Sequence, residues 1–590
     1  MFAEVSVLTI LAKLGALWLT LFVAVALAGA KADKGQGLNK DFPWQFRLAA
    51  TCRTPVLMFI VIPLSFMQRK WSHLKLWMRM MVSAPGSERA RKEHAAKVEA
   101  IAVQIRKWNE EGRPRRLRSA RPNWQSMSLK LGSNKTECNL IQLGRLDEIL
   151  NIDLDALTVT CEPGVTMGQL TAALLPHGLA LQTHVEMESI TIGGICLGFG
   201  IETNSHRYGF FQESVVRYEL LDSNAALRTV TAESDAELFR ALPWSHGTLG
   251  FLTCVTAKLV RVKPYIKMVY EPTHSAEELT RRLAELGRLP TPAAASGAAA
   301  GEEALPDFLE ATLFDKERAV IQRGYYVDAP LPGVRYNRIN DFWKPFFFRH
   351  VETFVGGASP VEEVVPLEHF LHRFTRSIFW ELEDMIPFAN HPVYRCLWGW
   401  LGAPEVSLLK LFQGPVIRKA SVYAHVVQES IMPMRHLPEG IAKFDEWFAA
   451  YPLLVFPVRI FNRGELSGFL TPRPDECDAD GASGLWVDLG AYGVPEVVKN
   501  GKVWDAKASV RAMEHWTRDV GGFQALYTDI FCTPSELREM FNFGLLDRCR
   551  ERLACKDAFP QVYDKVRSEA GIYDEELEAL IAKDPNLRGR

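Results

Sequence analysis

Positions 5–30 are apolar almost without interruption, with Lys13 as the one charged residue. About twenty such residues cross a bilayer as a helix, so the run reads as a membrane anchor. Glu4, with no basic residue before Lys13, argues against a cleaved leader despite the small residues of "ALAGA". A second apolar run, "PVLMFIVIPLSFM" at 55–67, is short for a span and contains Pro63. Beyond it Arg69, Lys70, Lys75 and Arg79 alternate with Trp71, Leu74, Trp77 and Met81, a pattern suited to a helix lying among lipid headgroups. This excess of positive charge assigns the flank, and everything after it, to the cytosolic side.

From 95 the pattern becomes that of a folded protein. An amphipathic helix is expected over 95–113, closed by Gly112 and Pro114. Next come a β-branched run at 157–161, a Pro163-Gly164 turn, a helix opened by Thr166, a stop at Pro176-His177-Gly178 and another apolar run. Together these make a strand, helix, strand unit of an α+β or α/β domain. Two further strands flank Asp222-Ser223-Asn224, and a helix is expected over 236–242. After Pro264 the composition shifts. The stretch 290–306, "PTPAAASGAAAGEEALP", reads as a flexible surface insertion. The second half concentrates aromatic residues at 340–350, 376–388 and 396–402, which suits a core, a deep apolar pocket or a face resting on membrane.

The 590 residues are 48% hydrophobic, enough for two or three sizeable cores. A net charge of -2 leaves no basic field for nucleic acid. The ten cysteines show no CxxC pair or metal-ligand spacing, so reduced thiols are expected, with no disulfide framework and no metal. Hydrolase signatures such as GxSxG and HExxH are missing from the sequence.

"SITIGGICLGFGIETNSHRYGFF" at 189–211 places Gly193, Gly194, Gly198 and Gly200 within eight residues. Bare backbone of this kind lets N–H groups approach anionic oxygens, a diphosphate above all. It fits neither GxGxxG nor the P-loop, so a purely structural glycine turn carries equal weight.

Further segments lead to a resemblance. "ARPNWQSMSLKLG", "EPGVTMGQLTAAL", "SHRYGFFQ", "LPWSHGTLGFL", "HRFTRSIFWELEDMIPF", "SLLKLFQG", "VDLGAYG" and "DAFPQVYDKV" run from 120 to 566. Together they resemble the Δ24-sterol reductases of the diminuto/seladin type, within the vanillyl-alcohol-oxidase (PCMH-type) class of FAD-binding flavoproteins. The resemblance implies an α+β fold: a two-subdomain FAD-binding domain at 95–264, a substrate cap at 265–500 and a C-terminal segment at 501–590 packing back on the FAD domain. The membrane anchor and interfacial segment at 1–82 precede them. It implies FAD on Arg121, Pro122, Asn123 and Trp124, and on Thr191, Ile192, Gly193, Gly194, Ile195, Cys196, Leu197, Gly198, Phe199, Gly200, Ile201, Glu202 and Thr203, backed by Gly247 and Thr248. With Asn123 and Trp124 where many relatives carry a flavin-linked histidine, FAD is expected to be non-covalent.

The implied reaction is reduction of a sterol side-chain double bond, with NADPH recharging the flavin at the endoplasmic reticulum membrane. Hydride would arrive at carbon 25 and a proton at carbon 24. Tyr492 and His206 are the candidate catalytic residues, although a histidine bonded to backbone is the blander reading of His206. Glu310, Lys410, His372 and Arg373 also fall in matching segments. Rival readings are a 24(28)-alkene reductase, a lactone or alditol oxidase on the same fold, and a sterol-binding protein without activity.

Overall fold

The computed structural model describes residues 7–32, 44–82, 84–126, 134–289, 304–412 and 424–568. Most of the 290–306 insertion and the last 22 residues of the C-terminal segment lie outside these. The fold mixes helix and sheet, as the alternation of periods implied.

In the first half, helix Glu88–Glu110 begins at Ser87, whose Oγ accepts from the Ala90 N–H. It ends before Gly112, which sits at φ +79°. A six-stranded sheet follows, ordered Ile149–Asp153, Thr158–Cys161, Phe251–Arg261, Val215–Leu221, Leu227–Val230, with Leu179–Leu181 also paired to Phe251–Arg261. Helix Met167–Leu174 opens on a capping box between Thr166 and Gln169, which satisfies two orphan backbone donors at once. Gly178, at φ +66°, turns the chain into Leu179–Leu181. At the expected hairpin, Asp222 Oδ1 accepts from the N–H groups of Asn224 and Ala226.

A nine-stranded sheet makes up the second half. Its order is Arg335–Tyr336, Val361–Pro366, Tyr265–Thr273, Ala319–Val327, Phe308–Leu313, Leu453–Phe461, Ser483–Gly493, Val426–Pro433, Phe523–Gln524. Side chains alternate across a strand, and here the two faces belong to two cores. Leu309, Ala311, Leu313, Val487, Leu489 and Ala491 pack under helices Ala276–Leu286, Leu437–Trp447 and Ala506–Asp519. Phe308, Trp486 and Tyr492 join the core shared with the first half. By the same alternation Glu310, Asp488 and, one strand over, Glu429 belong to that inner face, and all three are buried.

The chain beyond 540 returns to the first half. Phe559 meets Phe251 edge-on at 5.5 Å, Arg550 Nη1 donates to Thr248 O at 2.7 Å, and Arg552 pairs with Asp235.

The N-terminal helices correct one expectation. Helical structure runs unbroken from Trp44 to Val82, as Trp44–Val56, a π-helical turn Leu57–Val61 and Ile62–Val82. Ile62 N–H bonds Leu57 O, five residues back. This wider turn lies directly before Pro63, whose ring blocks a regular bond and crowds the preceding turn. The proline therefore does not end the apolar run. Among the described residues, Thr51–Arg79 is the one helix long and apolar enough to cross a membrane by length and composition. Helix Val7–Ala32, the expected anchor, packs beside it. Gly29 lies so close to Thr54 that a Cβ would stand 2.7 Å from the hydroxyl.

One buried cation lies at the junction of the two halves. Arg373 Nε and Nη2 donate to Glu310 Oε1 and Oε2 at 2.9 and 2.8 Å, and Nη2 donates also to Glu202 Oε1 at 2.8 Å. Phe370 and Phe374 lie 4.5 and 4.8 Å from the guanidinium carbon. Arg373→Met leaves two buried carboxylates without their counter-charge and is expected to cost about 3–5 kcal/mol. Thermal unfolding in detergent should show a lowered midpoint, and Arg373→Lys, which cannot make the bidentate contact, should recover little of it.

Candidate functional site

Where the expected glycine cradle should be, the structure has a helix, Ile192–Leu197. Its leading donors are already used. Ile192 N–H bonds Val165 O, Gly193 N–H bonds Pro163 O, and the N–H groups of Gly194 and Ile195 bond Thr191 O. These amides do not hold a diphosphate at the same time. The glycines serve close packing instead: a Cβ on Gly193 would sit 2.5 Å from Pro163 Cβ, and one on Gly200 would sit 2.9 Å from Ile195 Cβ and 3.0 Å from Phe211 Cβ. Gly194 is the open one, meeting only Thr191 Oγ1 at 3.3 Å.

Positive charge gathers close by, around Gly247 and Thr248. Lys565 Nζ donates to the His246 carbonyl and stands 3.5 Å from where a Gly247 Cβ would be. Burial and then the charges of Arg118 and Lys135 push its ammonium down to about 7. Burial, Arg118 and Arg121 push Lys135 down to about 8, and Lys135 donates to the Arg121 carbonyl. Both lysines keep some accessible surface while largely enclosed by protein. Ser245 Oγ and Thr248 Oγ1 are buried there without a hydrogen-bond partner. The turn Asn123–Gln125 borders this region and is held by Lys410, whose Nζ donates to Asn123 O at 3.0 Å and Ser126 O at 2.9 Å. Lys410 is thus a turn clamp.

His206 is a joint and not an acid. Its Nδ1 lies 2.9 Å from Thr203 O and its Nε2 2.9 Å from Pro306 O, across the boundary between the halves. Burial drops it to about 4, so the neutral ring donates to one carbonyl at a time. His372 is similar, with Nε2 2.8 Å from Thr171 Oγ1 and Nδ1 3.1 Å from Glu186 O.

Tyr492 sits in a proton-holding cluster. Asp488, Gly490 and Tyr492 share one face of strand Ser483–Gly493, and Glu429 stands opposite Gly490 on the neighbouring strand. Since Gly490 has no side chain, the Tyr492 ring folds over it, and its hydroxyl donates to Glu429 Oε1. Tyr527 adds a second hydroxyl, 3.1 Å from that of Tyr492. Burial raises the Glu429 carboxyl to about 8, and burial with the Glu429 charge raises Asp488 well above the carboxylate range. Burial and Glu202 likewise raise Glu186, while Arg373 holds Glu202 low against the effect of its own burial. Phe199, from the glycine-rich segment, lies 5.6 Å from Tyr527, so that segment and the acid cluster meet.

From the segment around 380, Phe379 stacks on Tyr492 at 5.0 Å, and Trp380 Nε1 donates to Tyr492 O at 2.7 Å. Ile378 and Phe379 are left-handed, at φ +48° and +60°. For a β-branched residue this costs on the order of 1–3 kcal/mol, a strain that concentrates at functional sites. Glu429, Asp488, Glu186, Tyr527, Lys135 and Lys565 were not anticipated from sequence. The available signal was an acid inside the otherwise apolar strands "VVQESIMP" and "GLWVDLGAYG".

Comparison with known proteins decides between the families this geometry could serve. A family model described as an FAD binding domain matches residues 94–231. Delta(24)-sterol reductase of Homo sapiens is 35% identical over 506 residues, 86% of this chain and 92% of that protein. Delta(24)-sterol reductase of Pisum sativum is 30% identical over 534 residues, covering 87% and 90%. The chain belongs to the Delta(24)-sterol reductase family. By contrast, L-gulonolactone oxidase of Bos taurus matches over 125 residues, 21% of this chain, at 30% identity.

The residues present fit the family's cofactor, by a different device from the one expected. A diphosphate needs opposing charge or donors. The surroundings of Gly247 supply cations that repel one another and two hydroxyls without partners. Lys565, Lys135, Arg121, Ser245 and Thr248 are the groups that would hold it.

Binding a dianion should restore the proton to Lys565, so FAD affinity should fall as pH rises above about 7. Lys565→Met should weaken FAD binding roughly ten- to a hundred-fold, the worth of one charged hydrogen bond, and flatten that pH dependence. Without FAD it should raise the unfolding temperature, because a buried cation is removed. Flavin fluorescence titrations from pH 6.5 to 9 and thermal unfolding of the FAD-free protein check all three outcomes.

Proposed function

We propose that this protein reduces the Δ24 double bond of a sterol side chain, using non-covalent FAD and taking reducing equivalents from NADPH. The observation that carries this is 35% identity over 92% of the human Delta(24)-sterol reductase. In this reading the first half is a two-subdomain FAD-binding domain, the nine-stranded sheet is the substrate cap, and the acid cluster between them is the reaction site. The catalytic body faces the cytosol at the endoplasmic reticulum.

Reduced FAD supplies the hydride when bound. The remaining requirement is a proton, held in the right place until the alkene takes it. Glu429 keeps its proton up to about pH 8 because burial disfavours the carboxylate. Once the protonated Glu429 carboxyl turns its O–H to the Tyr492 oxygen, reversing the bond the tyrosine hydroxyl now donates, that hydroxyl can pass its proton to carbon 24 and be resupplied from Glu429. Phe379 and Trp380, packed on Tyr492, offer π faces to the positive charge developing at carbon 25. The same apolar walls exclude water, which would otherwise compete for that carbon. His206, a candidate acid by sequence, has no part in this scheme.

The Bos taurus oxidase matches only a fifth of the chain, which gives the oxidase alternative little support. Membranes carrying the protein, given NADPH, FAD and either desmosterol or a 24-methylene sterol, should yield the 24,25-saturated product from desmosterol, identified by mass spectrometry. Oxygen uptake with a lactone and no sterol product would sink the proposal. Glu429→Gln removes the proton store and should lower sterol turnover on the order of a hundred-fold, the usual worth of a positioned acid. Anaerobic bleaching of the flavin by NADPH should be unaffected. In the unsubstituted enzyme turnover should decline above about pH 8, as Glu429 loses its proton.

A further inference from the structure

The helix that is apolar enough to span a membrane is not free to do so alone. Arg53 Nη2 donates to Asp384 O at 2.8 Å, and Thr54 Oγ1 to Met385 O at 3.2 Å. Trp398 Nε1 reaches Met58 O at 3.3 Å, Ser65 Oγ accepts from Glu405 N–H at 2.9 Å, and Arg69 Nη1 donates to Ala403 O at 2.6 Å. Further on, Arg79 pairs with Asp147 of the first half at 2.8 Å. From Arg53 to Arg69 the helix advances about 24 Å at its fixed rise, most of the ~30 Å of a hydrocarbon core. Wherever this length of helix lies in lipid, residues 384–405 of the body must lie beside it.

The body is built for that position. Val393, Leu397 and Trp400 are 58%, 58% and 52% exposed, and Trp343, Leu411 and Phe412 are also exposed. These side chains form one rim with the helix. Phe66 meets Trp400 edge-on at 5.5 Å, Phe59 meets Trp398 at 5.7 Å, and the Phe342 carbonyl lies against Gly399. Outward on the helix itself, Met67, Trp71, Leu74 and Trp77 continue the apolar surface. Apolar side chains with exposed tryptophans among them match the boundary between acyl chains and headgroups.

We infer that the outer face of helix Thr51–Arg79 and the rim 393–412 of the catalytic body form one surface that sits in a lipid leaflet. The helix is a strap holding the body at that depth. The inference concerns lipid contact and stands whether or not the substrate is a sterol.

Cys396, exposed on the same short helix as Val393 and Leu397, is a natural probe. With Cys52, Cys138 and Cys477 changed to serine, the full chain would be labelled at Cys396 with an environment-sensitive fluorophore. It would then be reconstituted into vesicles of phosphatidylcholine and phosphatidylserine. Nitroxide-bearing lipid should quench the label at least about two-fold more than aqueous iodide does, as expected for a buried interfacial group. Quenching by iodide but not by nitroxide lipid would place the rim in water and overturn the inference. Quenching by neither would mean that protein, such as a second copy, covers the rim, and would overturn it equally. Should the triple serine variant not fold, the unsubstituted chain in the same vesicles can be alkylated with a charged maleimide and analysed by peptide mass spectrometry. Although Cys396 is the more exposed thiol, it should react about five-fold slower than Cys477, and an equal or faster rate would refute the lipid contact.

Discussion

Arg373 is buried against Glu310 and Glu202, one carboxylate from the nine-stranded sheet and one from the glycine-rich segment of the first half. A cation in that position stabilises only while both acids are in place, and the acids are tolerable only while it is. Its consequences spread from there. Glu202 stays ionised because of Arg373, and beside it Glu186 holds a proton because two carboxylates cannot both be charged in one dry site. Backbone follows the same seam, with Leu309 N–H on Thr203 O at 2.7 Å and His206 bridging to Pro306.

On this fixed seam the chemistry divides by charge. Near Gly247 the groups are cationic. Near Tyr492 they are acids kept neutral by burial, with Glu429 at about 8 and Asp488 also raised. A cofactor carrying a diphosphate at one end and a reactive ring at the other suits such a pair of environments. Neither environment would be stable if exchanged: a diphosphate among buried acids would be expelled, and a neutral acid beside Lys565 and Arg118 would ionise.

Much of the first half was legible because local rules decide it. Thr166 as a cap, Gly178 as a left-handed stop and Asp222 as a turn former act within a few residues, and the structure has each of them. The glycine-rich segment stays ambiguous in sequence because a glycine needed for close approach to Pro163 or Phe211 looks the same as one needed for a ligand. Pro63 misled because a π-turn in the residues just before it can absorb it. Tyr492 was findable, but its partners were not. Glu429 lies 63 residues away, and the pairing depends on strand register, which no local pattern fixes.

Lys565 shows why the cofactor region was the hardest to read. It lies in a C-terminal stretch with ordinary helix composition, and only the return of that stretch, anchored by Arg550 on Thr248 and Phe559 on Phe251, brings the amine to Gly247. A lysine at such a place costs stability in the empty protein, since burial and like charges both oppose its proton. It is tolerated if an anion offsets that cost, which makes the closure of the C-terminal segment and the loading of the cofactor two parts of one equilibrium.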